Sequence, residues 1–193
     1  MKLLLHSCCA PCSTVALEQL VEEGHEITVF YCNPNIFPED EYTKRLREQH
    51  RLLVEFSFVW ASHRATRPAI ELMTSDYNHA DFVAAVQGLE EEPEGGERCR
   101  KCFALRLRET ARTAKQLGFD ALTTTITTGP RKSAEDVNAI GEDAAAEFGV
   151  AWLAQDFKKK DGYKRSIDLS KQFDLYRQSY CGCEFSMRKD NQQ

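Results

Sequence analysis

Short apolar runs alternate along this chain with longer amphipathic stretches, and that alternation predicts a parallel α/β sheet. Residues 2–5 (K-L-L-L) read as a first strand, and Pro11 suits the first turn of a helix running to about residue 23, with Val15, Ala16, Leu20 and Val21 inward. Residues 26–31 (E-I-T-V-F-Y) form a second strand that ends in the turn N-P-N-I-F-P, after which Pro38 opens a charged helix through about residue 53. Residues 56–61 are expected as a third strand. A helix over 76–88 precedes E-E-P-E-G-G-E, a loop by its Pro and Gly content. A helix over 99–117 puts Phe103, Leu107, Ala111 and Ala114 on one face and stops at Gly118. Residues 121–128 (A-L-T-T-T-I-T-T) are a fourth strand, Ser133 caps a helix to about residue 148, residues 150–156 are a fifth strand, and a last helix over 166–178 leads into Y-C-G-C. The expected fold is a Rossmann-like parallel sheet of about five strands with flanking helices, in one domain without internal repeats.

At 193 residues the chain can bury a core without structural disulfides or metals, so a metal here would be functional. The start M-K-L-L-L-H-S-C offers only three consecutive leucines, too few for a signal peptide or for a lipoprotein signal ending at Cys8. No run approaches the roughly 20 apolar residues of a membrane span. The eight cysteines are therefore expected to be reduced or metal-bound in a soluble, cytoplasmic protein.

A formal net charge of -5 argues against a nucleic-acid partner until the charges are placed. Residues 98–115 carry seven cations (Arg98, Arg100, Lys101, Arg106, Arg108, Arg112, Lys115) and one acid, Glu109. Residues 158–177 carry seven more (Lys158, Lys159, Lys160, Lys164, Arg165, Lys171, Arg177), while acids gather at 90–97 and 135–147. Solvated helix faces account for most such runs. Both basic segments, however, lie beside cysteine pairs.

Those pairs carry the chemistry. Cys8-Cys9, within H-S-C-C-A-P-C-S, and Cys99-x-x-Cys102 supply the four thiolates that a 4Fe-4S cluster needs. One helical turn separates Cys99 from Cys102, so both thiols point the same way. Cys8, Cys9 and Cys12 occupy the loop between the first strand and its helix, the usual ligand position in doubly wound folds, where the helix N-terminus favours thiolate. C-C-A-P-C contains no glycine, which weakens a phosphate-cradling reading. Tetrahedral zinc is the alternative for four thiolates. Cys12 is left open between a non-ligating thiol, a ligand to a second metal and helix packing. Cys181-Gly182-Cys183 can close a small, strained and therefore oxidising disulfide ring, a two-electron couple beside a one-electron centre; extra ligands or inert thiols are the alternative. Cys32 reads as a small core residue and His6 as a group behind the ligands. Tyr31, Asn33, Asn35, Tyr42 and Arg45, with Tyr163, Arg165, Tyr176, Arg177 and Tyr180, interleave rings and cations as RNA loops require.

Six motifs in order, H-S-C-C-A-P-C-S, N-P-N-I-x-P-x-x-E-Y, R-C-x-x-C-x-x-x-R-L, the T-T-T strand, D-F-K-K-K-D-G-Y-x-R-S and L-Y-R-Q-x-Y-C-G-C, resemble the cobalamin-independent epoxyqueuosine reductase family, QueH, from residue 3 to about 186. The resemblance implies a fold related to adenine-nucleotide α-hydrolases and a 4Fe-4S enzyme, with room for a further mononuclear iron. It implies reductive removal of the epoxide oxygen of epoxyqueuosine at the tRNA wobble position, the last step to queuosine, driven by an unidentified electron donor. Cys8, Cys9, Cys99 and Cys102 correspond to the cluster cysteines, and Cys181 with Cys183 to a redox-active pair. Cys32 departs from the aromatic residue expected before N-P-N. A sulfonucleotide reductase, the nearest enzymatic rival, would carry an S-G-G-x-D-S-like loop and an E-C-G-x-H-like tail, and this chain has neither. A non-catalytic, zinc-stabilised RNA-binding module is the rival from another class.

Overall fold

Five strands lie parallel in the order β3-β2-β1-β4-β5 in a computed structural model that describes residues 1–63 and 70–187. β1 (Lys2–His6) is central, pairing with β2 (Glu26–Tyr31) through Leu3↔Ile27 and Leu5↔Val29, and with β4 (Ala121–Thr124) through Leu4↔Leu122 and His6↔Thr124. β3 (Glu71–Thr74) and β5 (Ala151–Trp152) are the edges. Leu3, Leu4 and Leu5 are all fully buried because helices cover both faces of the sheet. Side chains alternate along β1, so Leu3 and Leu5 join the core under α1 (Ala10–Glu22), α2 (Glu39–His63) and α6 (Gly162–Gln172). Leu4 meets Leu107, Ala111 and Ala144 of α4 (Glu97–Leu117) and α5 (Ala134–Phe148) on the other face. The short α3 (His79–Ala85) packs on α4. The order of strands reverses between β1 and β4, which opens a crevice at their carboxyl ends.

Four expectations change. Residues 56–61 are not a strand: α2 continues to His63, with Leu52, Leu53, Phe56 and Ser57 buried while Val54 and Phe58 are 42% and 59% exposed. That spacing is helical, and the third strand is instead the short edge β3. The fourth strand ends at Thr124, whose Oγ1 accepts the Ile126 N–H at 3.2 Å and starts a single helical turn, Thr125–Thr128. The fifth strand shrinks to Ala151–Trp152, since Asn138 of α5 takes the Trp152 indole N–H at 3.0 Å and the Gln155 N–H at 3.3 Å. The last helix begins earlier, at Gly162, and stops at Gln172. A Cβ at position 162 would stand 1.9 Å from the Phe157 carbonyl oxygen, so only glycine permits this entry. Residues 173–183 then run without regular structure across the crevice.

Candidate metal centre and its cavity

The crevice holds a cavity of about 480 Å³, with Cys8, Cys9, Cys12 and Cys181 in its wall. Cys9 is the N-cap of α1, extended in backbone and without a side-chain capping bond, so the open amides and positive end of the helix lie at the sulfurs. Cys12 follows in the first turn. The sulfurs of Cys8, Cys9 and Cys12 lie within 4.8 Å of one another, and those of Cys8 and Cys9 are 3.8 Å apart. Thus Cys12, left open by the sequence, joins the pair; its i, i+3 and i+4 relation to Cys9 and Cys8 at a helix start is the signal that could have found it.

Buried polar groups fix this turn. Ser7 and Ser13 both donate to Gln49 Oε1, at 2.7 and 3.0 Å, and Asn33 Nδ2 donates to the Ser7 carbonyl at 2.8 Å. The threonine turn forms the facing wall: Thr125 Oγ1 accepts the Cys8 N–H at 3.1 Å, and Thr128 donates to the Cys12 carbonyl at 3.1 Å. His6 Nε2 donates to the Cys32 carbonyl at 3.1 Å, which leaves Nδ1 to accept from Thr124 Oγ1 at 2.8 Å. Burial, and then the Arg106 charge, push the His6 pKa down to about 3, so the ring is neutral and acts as a brace. Cys32 is buried in the apolar core, as expected.

Cys99 and Cys102 stand in the first turns of α4, both buried. Cys8 packs against the apolar group of Cys99, Phe103, Ile126 and Val137, whereas Cys102 shares one with Phe82, Val86 and Cys183. Neither belongs to the close triad. Each region has donors to sulfur: Gln178 Nε2 to Cys9 at 3.0 Å, Gly95 N–H to Cys99 at 3.2 Å and Thr125 Oγ1 to Cys8 at 3.4 Å. Hydrogen bonds from Cys12 and then Cys9 draw the Cys8 thiol well below its ordinary pKa, while the same interactions with Cys8 and Cys9 push Cys12 well above it. Three sulfurs this close together are the kind of site in which a thiophilic metal replaces protons.

Cys181 opens into the cavity and Cys183 is buried behind it; both thiols are free. Burial raises the Cys181 pKa, and the Lys132 and Arg106 charges work against it. Lys132 Nζ pairs with Glu94 at 2.9 Å in the same wall. Of the polar candidates, Asn33, Asn35, Tyr163, Arg177 and Tyr180 line the cavity, and Asn35 Oδ1 is buried without a partner. The others lie elsewhere. Tyr31 is fully buried, its ring 5.2 Å from that of Tyr42. Arg45 is buried, its donors spent on Glu41 and on the carbonyls of Tyr180 and Cys181. Arg165 grips Glu18 of α1, and Tyr176 donates to Glu41 beneath the Lys44 ammonium. Sequence reasoning missed Arg106, Lys132 and Gln178 as wall residues; Arg106 follows Cys102 by four, on the same face of α4.

The family model described as "Epoxyqueuosine reductase QueH" matches residues 3–189. A protein of that name from Streptococcus pyogenes serotype M1 is 41% identical over 186 residues, covering 96% of this chain and 70% of its own length. Its counterpart from Staphylococcus epidermidis is 40% identical over 190 residues (97% and 77%), and that from Thermotoga maritima 30% over 187 (95% and 89%).

Proposed function

The chain belongs to the epoxyqueuosine reductase QueH family, and we propose on that premise that it reduces epoxyqueuosine in tRNA to queuosine. The observation that carries the chemistry is the cavity at the carboxyl ends of β1 and β4, walled by cysteines from two separate segments, Cys8, Cys9 and Cys12 at the start of α1 and Cys181 near the C-terminus. The overall change is C–O–C plus two electrons and two protons to C=C and water. Cys8, Cys9, Cys99 and Cys102 are proposed to hold a 4Fe-4S cluster. The all-sulfur donor set, the donors aimed at three of those sulfurs and the water-poor surroundings suit it. When bound, such a cluster supplies electrons one at a time, and a further mononuclear iron at the Cys12 side could polarise the epoxide oxygen.

The chain's own residues then divide the work. Cys181 faces the cavity and Cys183 lies behind it among the neighbours of Cys102, so their oxidation to a disulfide would release two electrons and two protons next to the substrate. Asn35, with its unpaired buried carbonyl, and Asn33 are proposed to orient the epoxide-bearing ring and its hydroxyls. Tyr163 and Arg177 at the cavity are proposed to meet the flanking nucleotides. Of the two basic segments, the second is the better RNA surface. The outer arginines of α4 are neutralised within the protein, Arg100 by Asp136, Arg108 by Glu147 and Arg112 by Glu109. Lys160 (φ 51) and Asp161 (φ 62) turn the chain sharply ahead of Tyr163, leaving Lys159, Lys160 and Lys164 exposed. Arg165 serves α1 instead. A reducing compartment, the cytoplasm, fits free thiols throughout.

One observation favours a second reading. Metal–sulfur bonds of about 2.3 Å at tetrahedral angles put two sulfurs about 3.8 Å apart, which is the Cys8–Cys9 spacing. A single thiolate-bound ion, zinc in a non-catalytic RNA-binding module, would satisfy it. Anaerobic purification with iron, sulfide and zinc analysis, followed by incubation with epoxyqueuosine-containing tRNA and a reductant, separates the readings. Iron, sulfide and conversion to queuosine are expected. Iron without conversion overturns the substrate assignment, and colourless protein with stoichiometric zinc overturns the cluster.

A further inference from the structure

Arg106 lies one turn beyond Cys102 on α4 and is 3% exposed. Its Nε donates to the Cys102 carbonyl at 3.1 Å and its Nη1 to Asn33 Oδ1 at 3.3 Å, and its guanidinium stands 5.5 Å from the Phe103 ring centroid. Both acceptors are neutral. Among the described residues no carboxylate lies within ion-pair distance of Arg106, whereas buried Arg45 holds Glu41 and the outer arginines of α4 each hold an acid. Arg98, the other buried arginine of α4, is enclosed by the carbonyls of Leu89, Glu90 and Glu92. Arg106 instead reaches the cavity wall beside the cysteines.

A buried cation with neutral partners is unfavourable unless an anion completes it. What shares the cavity wall with this one is a set of cysteines, Cys8, Cys9, Cys12 and Cys181. We propose that Arg106 is the fixed counter-charge of the metal centre, a positioning residue that stabilises its more negative, reduced state and so raises its reduction potential. Each electron added to a thiolate-held cluster adds a negative charge, and a cation fixed in a water-poor wall favours that state more than solvent would. The inference rests on the cluster reading above.

A purely structural clamp, tying α4 to Asn33, predicts a different pattern of variants. Arg106→Lys keeps the charge and loses the planar fork, while Arg106→Gln keeps hydrogen-bonding capacity and loses the charge. EPR-monitored anaerobic redox titration should show Arg106→Gln displaced toward the oxidised cluster by about tenfold or more, a midpoint about 59 mV lower for one electron. Arg106→Lys should stay within about threefold of the parent, about half that shift. An unchanged midpoint in Arg106→Gln, or a larger shift in Arg106→Lys, overturns the proposal. Should Arg106→Gln take up no cluster, melting of the metal-free proteins decides. Release of an unbalanced buried charge leaves the Arg106→Gln midpoint temperature equal or higher, and a fall of several degrees that Arg106→Lys shares overturns the proposal in favour of the clamp. Parent protein without iron–sulfur absorption after reconstitution brings down the cluster reading itself, a result separate from any difference between variants.

Discussion

Arg45 offers the sharpest test of how the C-G-C segment is held. Its guanidinium is 2% exposed and donates to Glu41 Oε1 at 2.7 Å, the Cys181 carbonyl at 2.9 Å and the Tyr180 carbonyl at 3.3 Å, with the Tyr180 ring 5.0 Å from its carbon. On the other side of the segment, the Phe37 N–H donates to the Gly182 carbonyl at 2.9 Å, and Tyr180 donates its hydroxyl to the Phe37 carbonyl. Arg45→Gln shortens the arm and leaves the Glu41 carboxylate, 12% exposed, with the Tyr176 hydroxyl alone. Removing one member of a buried ion pair costs about 3–5 kcal/mol, and the broken carbonyl bonds fall within that figure rather than adding to it. At about 2–4 °C per kcal/mol for a chain of this size, the metal-free protein should melt about 6–20 °C lower. Iodoacetamide should also alkylate Cys181 faster, because the segment opens locally before the fold does. Arg165→Gln is the control, since Arg165 is 48% exposed and its pair with Glu18 is worth about 0–1 kcal/mol. A drop under about 2 °C in Arg45→Gln, with unchanged alkylation, refutes the strap.

Three further outcomes are expected. Cys12→Ser should lower bound iron in anaerobically reconstituted protein, because it removes one corner of the sulfur triad; full iron content at parent affinity contradicts a ligand role. Gly182→Ala places a Cβ 2.9 Å from Asn35 Nδ2 at φ 154, so it should cost about 1–3 kcal/mol in denaturant melts and reduce turnover, and parent-like values in both assays count against the tight approach. Reversing Lys160 and Lys164 to Glu should weaken tRNA binding and flatten its log–log salt dependence by about 0.9 for each phosphate no longer neutralised, whereas reversing Arg108 and Arg112 should change it little. Equal effects of the two double variants would return the α4 surface to the RNA interface.

Where local pattern and tertiary packing agree, the fold could be read from the residues. β1, β2 and the start of β4 are short apolar runs buried on both faces, and α1, α4 and α5 are periodic helices with Pro, Gly or Ser at their ends. The third strand is misplaced by composition because F-S-F-V-W-A looks like a strand, while the true edge, E-L-M-T, is half-exposed and too short to signal itself. Composition cannot separate the two when burial is decided by the preceding helix, whose buried positions at 52, 53, 56 and 57 simply continue its period. Thr125–Thr128 misleads for a related reason. Four β-branched or threonine residues favour a strand, but a threonine hydroxyl can also take over a backbone donor, and Thr124 does so at Ile126.

At the site, the cysteine motifs were legible because their spacing is a helical property, whereas the roles of arginine and tyrosine were not. Arg45, Arg106 and Arg165 look alike in the sequence, yet one straps a backbone, one lies buried without an acid in the cavity wall that holds the cysteines and one sits in solvent on Glu18. What separates them is the partner across the fold, at sequence distances of 136 for Arg45 and Cys181 and 147 for Arg165 and Glu18, which no local pattern encodes. Contacts of the same long range place Cys181 and Cys183 differently. Cys181 and Cys183 are two residues apart, but the strap from Arg45 and the Phe37–Gly182 bond hold the backbone between them, with Cys181 in the cavity wall and Cys183 beside the neighbours of Cys102. If that pair exchanges electrons with the metal centre and protons with the substrate, the strap must yield or persist as the disulfide closes. Faster alkylation of Cys181 in Arg45→Gln together with slower turnover would show that holding the two thiols apart is part of the chemistry; faster turnover would show that it limits it.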